Sequence, residues 1–118
     1  MYKNQRHSER FNLILPIQLS FGTQITLKGE IKDLSLKSAF IIIKSSIHMA
    51  PNDELKFCID NLPNIEGGIE GTAVISRVVP GEGIAIYFDI LEIESENRLQ
   101  QLIAQRISES DRKYEQRP

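Results

Sequence analysis

The chain has 118 residues, the length of one domain, and its 41% hydrophobic and 25% charged residues are typical of a globular protein rather than a disordered one. Its 14 basic and 16 acidic residues give a formal net charge of −2, which disfavours a protein that coats nucleic acid or an anionic membrane. The single cysteine, Cys58, excludes an intramolecular disulfide, and no apolar run approaches the roughly 20 residues of a membrane-spanning helix. We therefore expect a cytoplasmic protein without membrane insertion.

The first 11 residues predict a flexible basic arm, because no hydrophobic periodicity organises them. Arg6 and Arg10 lie four positions apart in this arm. They could be two solvated charges. They could also form a paired clamp, since a guanidinium group matches phosphate oxygens or the N7/O6 edge of guanine and can stack on a purine.

Alternation of apolar and polar residues, with turn residues between the runs, predicts six strands. Pro16 in the first of them indicates an edge strand or a bulge. The connections are short, so we expect antiparallel pairing in a small closed barrel or a sandwich. The predicted strands are Leu13–Phe21, Ile25–Ile31, Ala39–Lys44, Glu54–Asp60, Ile69–Val79 and Gly83–Leu91.

A helix is predicted after the last strand. Ser95 is the expected N-cap, with Glu96 favourable in the first turn. One apolar stripe at helical spacing should pack on the barrel opening or on a partner, and it consists of Leu99, Leu102, Ile103 and Ile107. The domain is expected to span residues 12–110, followed by a polar tail at 111–118.

The residues of common catalytic and metal sites are missing from the sequence. His7 and His48 are the two histidines, and with Cys58 they form no metal-ligand spacing. No phosphate-binding loop is present, because the glycines of "PGEGIA" precede a strand rather than a helix. We therefore predict a protein that is not an enzyme and that uses no metal or cofactor.

The segment "DLSLKSAFI" offers a different kind of site. Asp33 and Ser35 are two positions apart, so on an extended chain both side chains face the same side. A carboxylate beside a hydroxyl could accept hydrogen bonds from the N1–N2 edge of guanine. Alternatively, both side chains could bond the local backbone of a turn. Phe40 is expected in the core. Arg77 on a later strand could face the same surface as Asp33 and Ser35, but we interpret it as an exposed strand arginine.

The chain resembles the PilZ domain family in the order of its motifs, which are Arg6-x-x-x-Arg10, then Asp33-x-Ser35, then apolar residues from Ala39 onward. PilZ domains are bacterial receptors for the second messenger cyclic di-GMP. The resemblance covers nearly the whole chain and implies an all-β fold, a six-stranded antiparallel barrel with a C-terminal helix.

The resemblance also implies roles for single residues. Arg6 and Arg10 would wrap the ligand, while Asp33 and Ser35 would hold a guanine. Gln5, just before the first arginine, occupies a position linked to the number of ligand molecules bound. The arm would fold over the barrel on binding, and a partner protein would read this change.

Two residues depart from the family pattern. Ser38 stands where the motif has glycine, and Lys37 stands where a second glycine is frequent. A left-handed backbone at Ser38 would cost roughly 1–2 kcal/mol, and its Cβ could instead obstruct the ligand. Lys37 could meet a phosphate or point to solvent.

Two rival functions remain, and the departure at Ser38 favours the first of them. A degenerate PilZ-like adapter would act by protein contact without ligand. An oligonucleotide-binding barrel is disfavoured by the low aromatic content of 7%. We expect an unidentified effector protein as partner, no nucleic acid polymer, and a monomer or weak homodimer.

Overall fold

The computed structural model describes residues 10–22, 25–44 and 49–115, and within these ranges the chain forms six strands and one helix. The strands follow the predicted runs closely, because one face of each run is apolar enough to be buried. Their bounds are β1 Phe11–Phe21, β2 Ile25–Leu34, β3 Ser38–Ile42, β4 Glu54–Ile59, β5 Ile69–Val79 and β6 Gly83–Leu91, and the helix α1 spans Ile93–Glu115.

All strand pairs are antiparallel and the sheet closes into a barrel in the order β1-β2-β3-β6-β5-β4. The predicted six-stranded antiparallel barrel with a C-terminal helix is thereby confirmed. Closure occurs where β4 pairs with β1, and in the described chain this pairing involves only Gln18, Leu19 and Ser20 of β1. Pro16 precedes this contact, so its missing N–H costs no hydrogen bond to β4.

The core fills the barrel with the inward-facing residues of every strand and with one face of the helix. On β4 the alternation is simple. Leu55, Phe57 and Ile59 are buried, whereas Cys58 is only partly buried and lies on the opposite face.

Four register shifts occur between the paired strands of the described chain, and two of them are bulges on β2 and β5, the strands that flank β3 and β6. Between β2 and β3, Ile31 pairs with Ile41 and Asp33 with Phe40, which leaves Lys32 as an extra residue. Lys32 and Asp33 consequently lie together between two buried residues and face outward. An equivalent shift between β5 and β6 leaves Ser76 as the extra residue beside Arg77.

Helix α1 begins at Ile93, so the prediction of Ser95 as N-cap was wrong. The amide of Glu96 already donates to the carbonyl of Glu92 (2.9 Å). Ser95 is buried instead, and its hydroxyl accepts a hydrogen bond from the amide of Glu70 on β5 (3.0 Å). The Ser95 hydroxyl therefore satisfies a strand amide and is not used to cap the helix.

The apolar face of α1 packs on the barrel through Leu99, Leu102 and Ile103. Ile107 is 44% exposed, so the buried stripe ends one turn earlier than predicted. The helix continues to Glu115, through most of the segment predicted as a polar tail. No helix in the described ranges is long and apolar enough to span a membrane.

Two arginines of α1 bond the backbone of the barrel. Nη1 of Arg98 donates to the carbonyl of Gly68 (2.9 Å), and Nη2 of Arg106 donates to the carbonyl of Asn12 on β1 (2.7 Å). The helix is thus bonded both to the loop before β5 and to the beginning of β1.

Candidate ligand-binding site

The turn between β2 and β3 is organised by Ser35. Its amide donates to the carbonyl of Ser38 (2.8 Å), and its hydroxyl accepts from the amides of Ser38 (3.0 Å) and Lys37 (3.2 Å). Ser35 is fully buried. Of the two roles considered for its side chain, the structure therefore shows bonding within the turn, with no surface available to a ligand.

Arg10 bridges the two ends of this turn. Its Nε donates to Oδ1 of Asp33 (2.6 Å) in a salt bridge, and its Nη1 donates to the hydroxyl of Ser38 (2.7 Å). The Arg10 side chain is 39% exposed and that of Asp33 is 23% exposed, so both remain accessible from solvent.

Ser38 is the first residue of β3 and has an ordinary strand backbone. The non-glycine residues with positive φ in the described chain are Asn52 and Asn64. Replacement of the motif glycine therefore causes no left-handed strain in this structure. What Ser38 does add is a Cβ and a hydroxyl, and the hydroxyl bonds Arg10 and lies 3.2 Å from that of Ser35.

A pocket of about 440 Å³ lies on the outer face of the barrel beside Arg10. One row of paired residues crosses it, running from Asp33 on β2 through Phe40 on β3 and Ala85 on β6 to Arg77 on β5. Because the side chain of Ala85 is small, the surface of the barrel is recessed there, and Ala85 forms the floor of the pocket. The remaining lining includes Arg10, Lys32, Ser38, Ser76, Glu82 and Tyr87.

Lys37 lies outside this pocket. It is exposed and lines a separate groove of about 800 Å³ between the β2–β3 turn, β6 and the first turns of α1. Leu36 and Ile90 give this groove exposed apolar surface. Tyr87, which is 57% exposed, lines both the groove and the pocket.

Two of the residues proposed for the site, Gln5 and Arg6, lie outside the described residues, as does most of the predicted arm. Of the seven candidates, Arg10, Asp33 and Ser38 line the pocket together. Ser35 lies beneath it in the turn, and Lys37 faces the neighbouring groove.

Sequence reasoning missed Lys32 and Phe40 as pocket residues and left Arg77 as a solvent-exposed arginine. Phe40 is buried, as expected, but it does not belong to the core cluster. Its ring faces the pocket, where Nζ of Lys32 lies 5.9 Å and Cζ of Arg77 lies 6.0 Å from the ring centroid. Strict alternation from Ala39 and Ile41, which are both inward, could have placed Phe40 on the outer face.

The PilZ domain model matches residues 4–105, and the chain belongs to the PilZ domain family. PilZ domains are in general receptor or adapter domains for cyclic di-GMP signalling, and no catalytic family is indicated. No curated protein sequence matches the chain.

Solved structures share the fold. The Bacillus subtilis inhibitor of motility MotI/DgrA matches with a TM-score of 0.72 and 14% identity over 87% of this chain and 52% of its own. This chain therefore spans about half the length of MotI/DgrA. The PilZ domain of CeSA from a cellulose-synthesizing bacterium matches with a TM-score of 0.63 and 21% identity over 80% of this chain and 94% of its own.

Proposed function

We propose that this domain binds cyclic di-GMP in the pocket beside Arg10 and passes the signal to a partner protein. The observation that carries the proposal is the position of Arg10 between Asp33 and Ser38 at the edge of this pocket. Family membership supports it, because cyclic di-GMP reception is the general role of PilZ domains.

The chemistry of these side chains suits a guanine nucleotide. Asp33 can accept hydrogen bonds from the N1–H and N2 amino group of guanine, while the guanidinium of Arg10 can donate to a phosphate or stack on the base. The ligand would have to compete with the existing bond between Arg10 and Asp33. Arg6 and Gln5 are proposed to complete the site from the preceding segment.

The position of Tyr87 supports a route from ligand to partner. Its ring borders the pocket on one side and the groove that contains Lys37 and Leu36 on the other. A ligand in the pocket would lie against this ring, so binding would alter the edge of the groove. We propose this apolar groove as the surface that a partner protein reads.

One observation favours a second candidate function, the ligand-free adapter. Arg10 already has two acceptors within the protein, Asp33 and Ser38, so its guanidinium is held in place without a ligand. An adapter would keep this arrangement permanently and would act through its surface alone.

Calorimetric titration with cyclic di-GMP separates the two functions, using native protein, Arg10→Ala and Lys28→Ala. Lys28 is exposed on β2 and lies outside the pocket, so it serves as the control. A receptor is expected to bind at micromolar or lower concentration. Arg10→Ala should then weaken binding at least about tenfold, since a hydrogen bond from a charged group contributes roughly 1.5–3 kcal/mol. No binding by the native protein would exclude the receptor and leave the adapter.

A further inference from the structure

Lys32 and Arg77 are two cations of the pocket that have no carboxylate partner. Within the described ranges, the salt bridge of the pocket joins Arg10 to Asp33, and neither Lys32 nor Arg77 forms an ion pair. Both side chains are exposed. With Arg10, they are the cations that line this pocket.

The two bulges place these cations on the pocket. Lys32 is the extra residue of β2, and Arg77 directly follows the extra residue of β5, Ser76. Without a bulge, strict alternation would leave only one residue facing outward between each pair of inward residues. Each bulge instead turns two consecutive residues outward, Lys32 with Asp33 and Ser76 with Arg77, and all four line the pocket.

Phe40 positions both cations. Lys32 and Arg77 each lie about 6 Å from its ring centroid, at the outer limit of a cation–π contact. At this distance the ring orients the two side chains but leaves their N–H groups available. Arg77 reaches the ring across Ala85, whose small side chain leaves the space between β3 and β5 open.

The charges of the pocket favour an anion at this place. Arg10, Lys32 and Arg77 face two carboxylates, those of Asp33 and Glu82. Asp33 is neutralised by Arg10, so positive charge is in excess around Phe40.

We infer that Lys32 and Arg77 form an anion subsite that binds a phosphate group of the cyclic dinucleotide, with Phe40 as their positioning residue. This inference rests on the proposed function. Asp33 and Arg77 are separated by three strand spacings of about 4.8 Å along the curved sheet, so a guanine bound at Asp33 leaves room for a phosphate above Phe40, between Lys32 and Arg77.

The test uses Lys32→Gln and Arg77→Gln, which remove the charge but keep most of the side-chain length, and Lys28→Gln as a control on the same strand. Cyclic di-GMP affinity is measured by calorimetry at low and high salt, and thermal unfolding is recorded for each variant. We expect each pocket variant to bind about tenfold more weakly and to lose part of the salt dependence, because exposed charges are screened by ions. Lys28→Gln should match the native protein in both respects.

The outcomes distinguish the subsite from the receptor function. If native protein binds and the two pocket variants bind equally well, the subsite is overturned and the receptor stands. A fall in melting temperature without any change in affinity or salt dependence would also overturn it, since it would show that the cations only cover Phe40.

If the native protein does not bind cyclic di-GMP, the proposed function fails, and titration with inorganic pyrophosphate decides on the subsite. We then expect amide chemical-shift changes in NMR spectra at Lys32, Phe40 and Arg77 that disappear in Arg77→Gln. Absence of these shifts in the native protein would overturn the subsite as well.

Discussion

Replacing Ser38 by glycine, the residue of the family motif, is expected to tighten cyclic di-GMP binding. In the free protein the Ser38 hydroxyl accepts a hydrogen bond of 2.7 Å from Nη1 of Arg10. If the ligand needs this guanidinium, it must first displace the hydroxyl. Glycine removes that competitor and leaves Arg10 bonded to Asp33 alone.

The magnitude follows from the exposure of the bond. A hydrogen bond from a charged donor contributes roughly 1.5–3 kcal/mol when water is excluded. The Arg10 side chain is 39% exposed, so water replaces much of this and about 0.5–1 kcal/mol remains. The corresponding gain in affinity is about two- to fivefold.

The variant should also be slightly less stable. Glycine within a strand lowers the free energy of unfolding by about 0.5–1 kcal/mol relative to alanine. Ser38 has no left-handed backbone for glycine to relieve, so no compensating gain is expected. Tighter binding and a lower melting temperature should therefore appear together.

Calorimetric titration of native protein, Ser38→Gly and Ser38→Ala tests this reasoning. Alanine removes the hydroxyl and keeps Cβ, so equal gains in both variants would identify the hydroxyl as the competitor. A gain in Ser38→Gly alone would point to an obstructing Cβ. Unchanged binding in both variants would refute the competition, and weaker binding in both would refute it and indicate that the hydroxyl contacts the ligand.

Three further predictions concern the barrel itself. Burial, followed by a hydrogen bond to Asp60 and its charge, raises the pKa of Cys58 from 9.0 to about 11. At pH 8 iodoacetamide should therefore react about tenfold more slowly than with an unperturbed thiol, because the smaller thiolate fraction is partly offset by a more nucleophilic thiolate. Asp60→Asn should accelerate the reaction, and an unaltered rate would contradict this cause. Gly83→Ala would place its Cβ against the carbonyl oxygen of Ile41 and should lower the free energy of unfolding in urea by about 1–3 kcal/mol. Leu102→Ala, at a fully buried helix position, should lower it by about 2–5 kcal/mol, and a loss below 1 kcal/mol would show that the helix packs loosely.

The strands and the barrel class could be predicted from the sequence because burial on one face leaves a period of two in the chain. Cys58 illustrates this, since its position among Leu55, Phe57 and Ile59 determines its face without any knowledge of its neighbours in space. The apolar stripe of the helix could be predicted in the same way from the helical period of about 3.6 residues, and Leu99 and Leu102 of this stripe are buried.

The pocket could be predicted only in part, because bulges depend on which residues pair across strands. Lys32 is the extra residue of its bulge because Ile31 and Asp33 pair with consecutive residues of β3. The sequence around Lys32 does not indicate this bulge. Ser95 was predicted as an N-cap because the sequence does not reveal its actual partner. That partner is the amide of Glu70, which lies on a strand 25 positions away. Ser35 was proposed to hold a guanine, with bonding to the local backbone of a turn as the alternative, and the structure shows its hydroxyl accepting from the amides of Lys37 and Ser38.

The short contact between β1 and β4 has a consequence for the mobility of Arg10. In the described chain β4 pairs with β1 only at Gln18–Ser20, so the first half of β1 is held along one edge, by β2. The segment next to Arg10 can therefore be displaced by breaking one strand ladder and the bond from Arg106 to Asn12, while the barrel stays closed at the far end of the strand. The carbonyl of Asn12 belongs to the same segment and is bonded by Arg106, so such a displacement acts directly on α1.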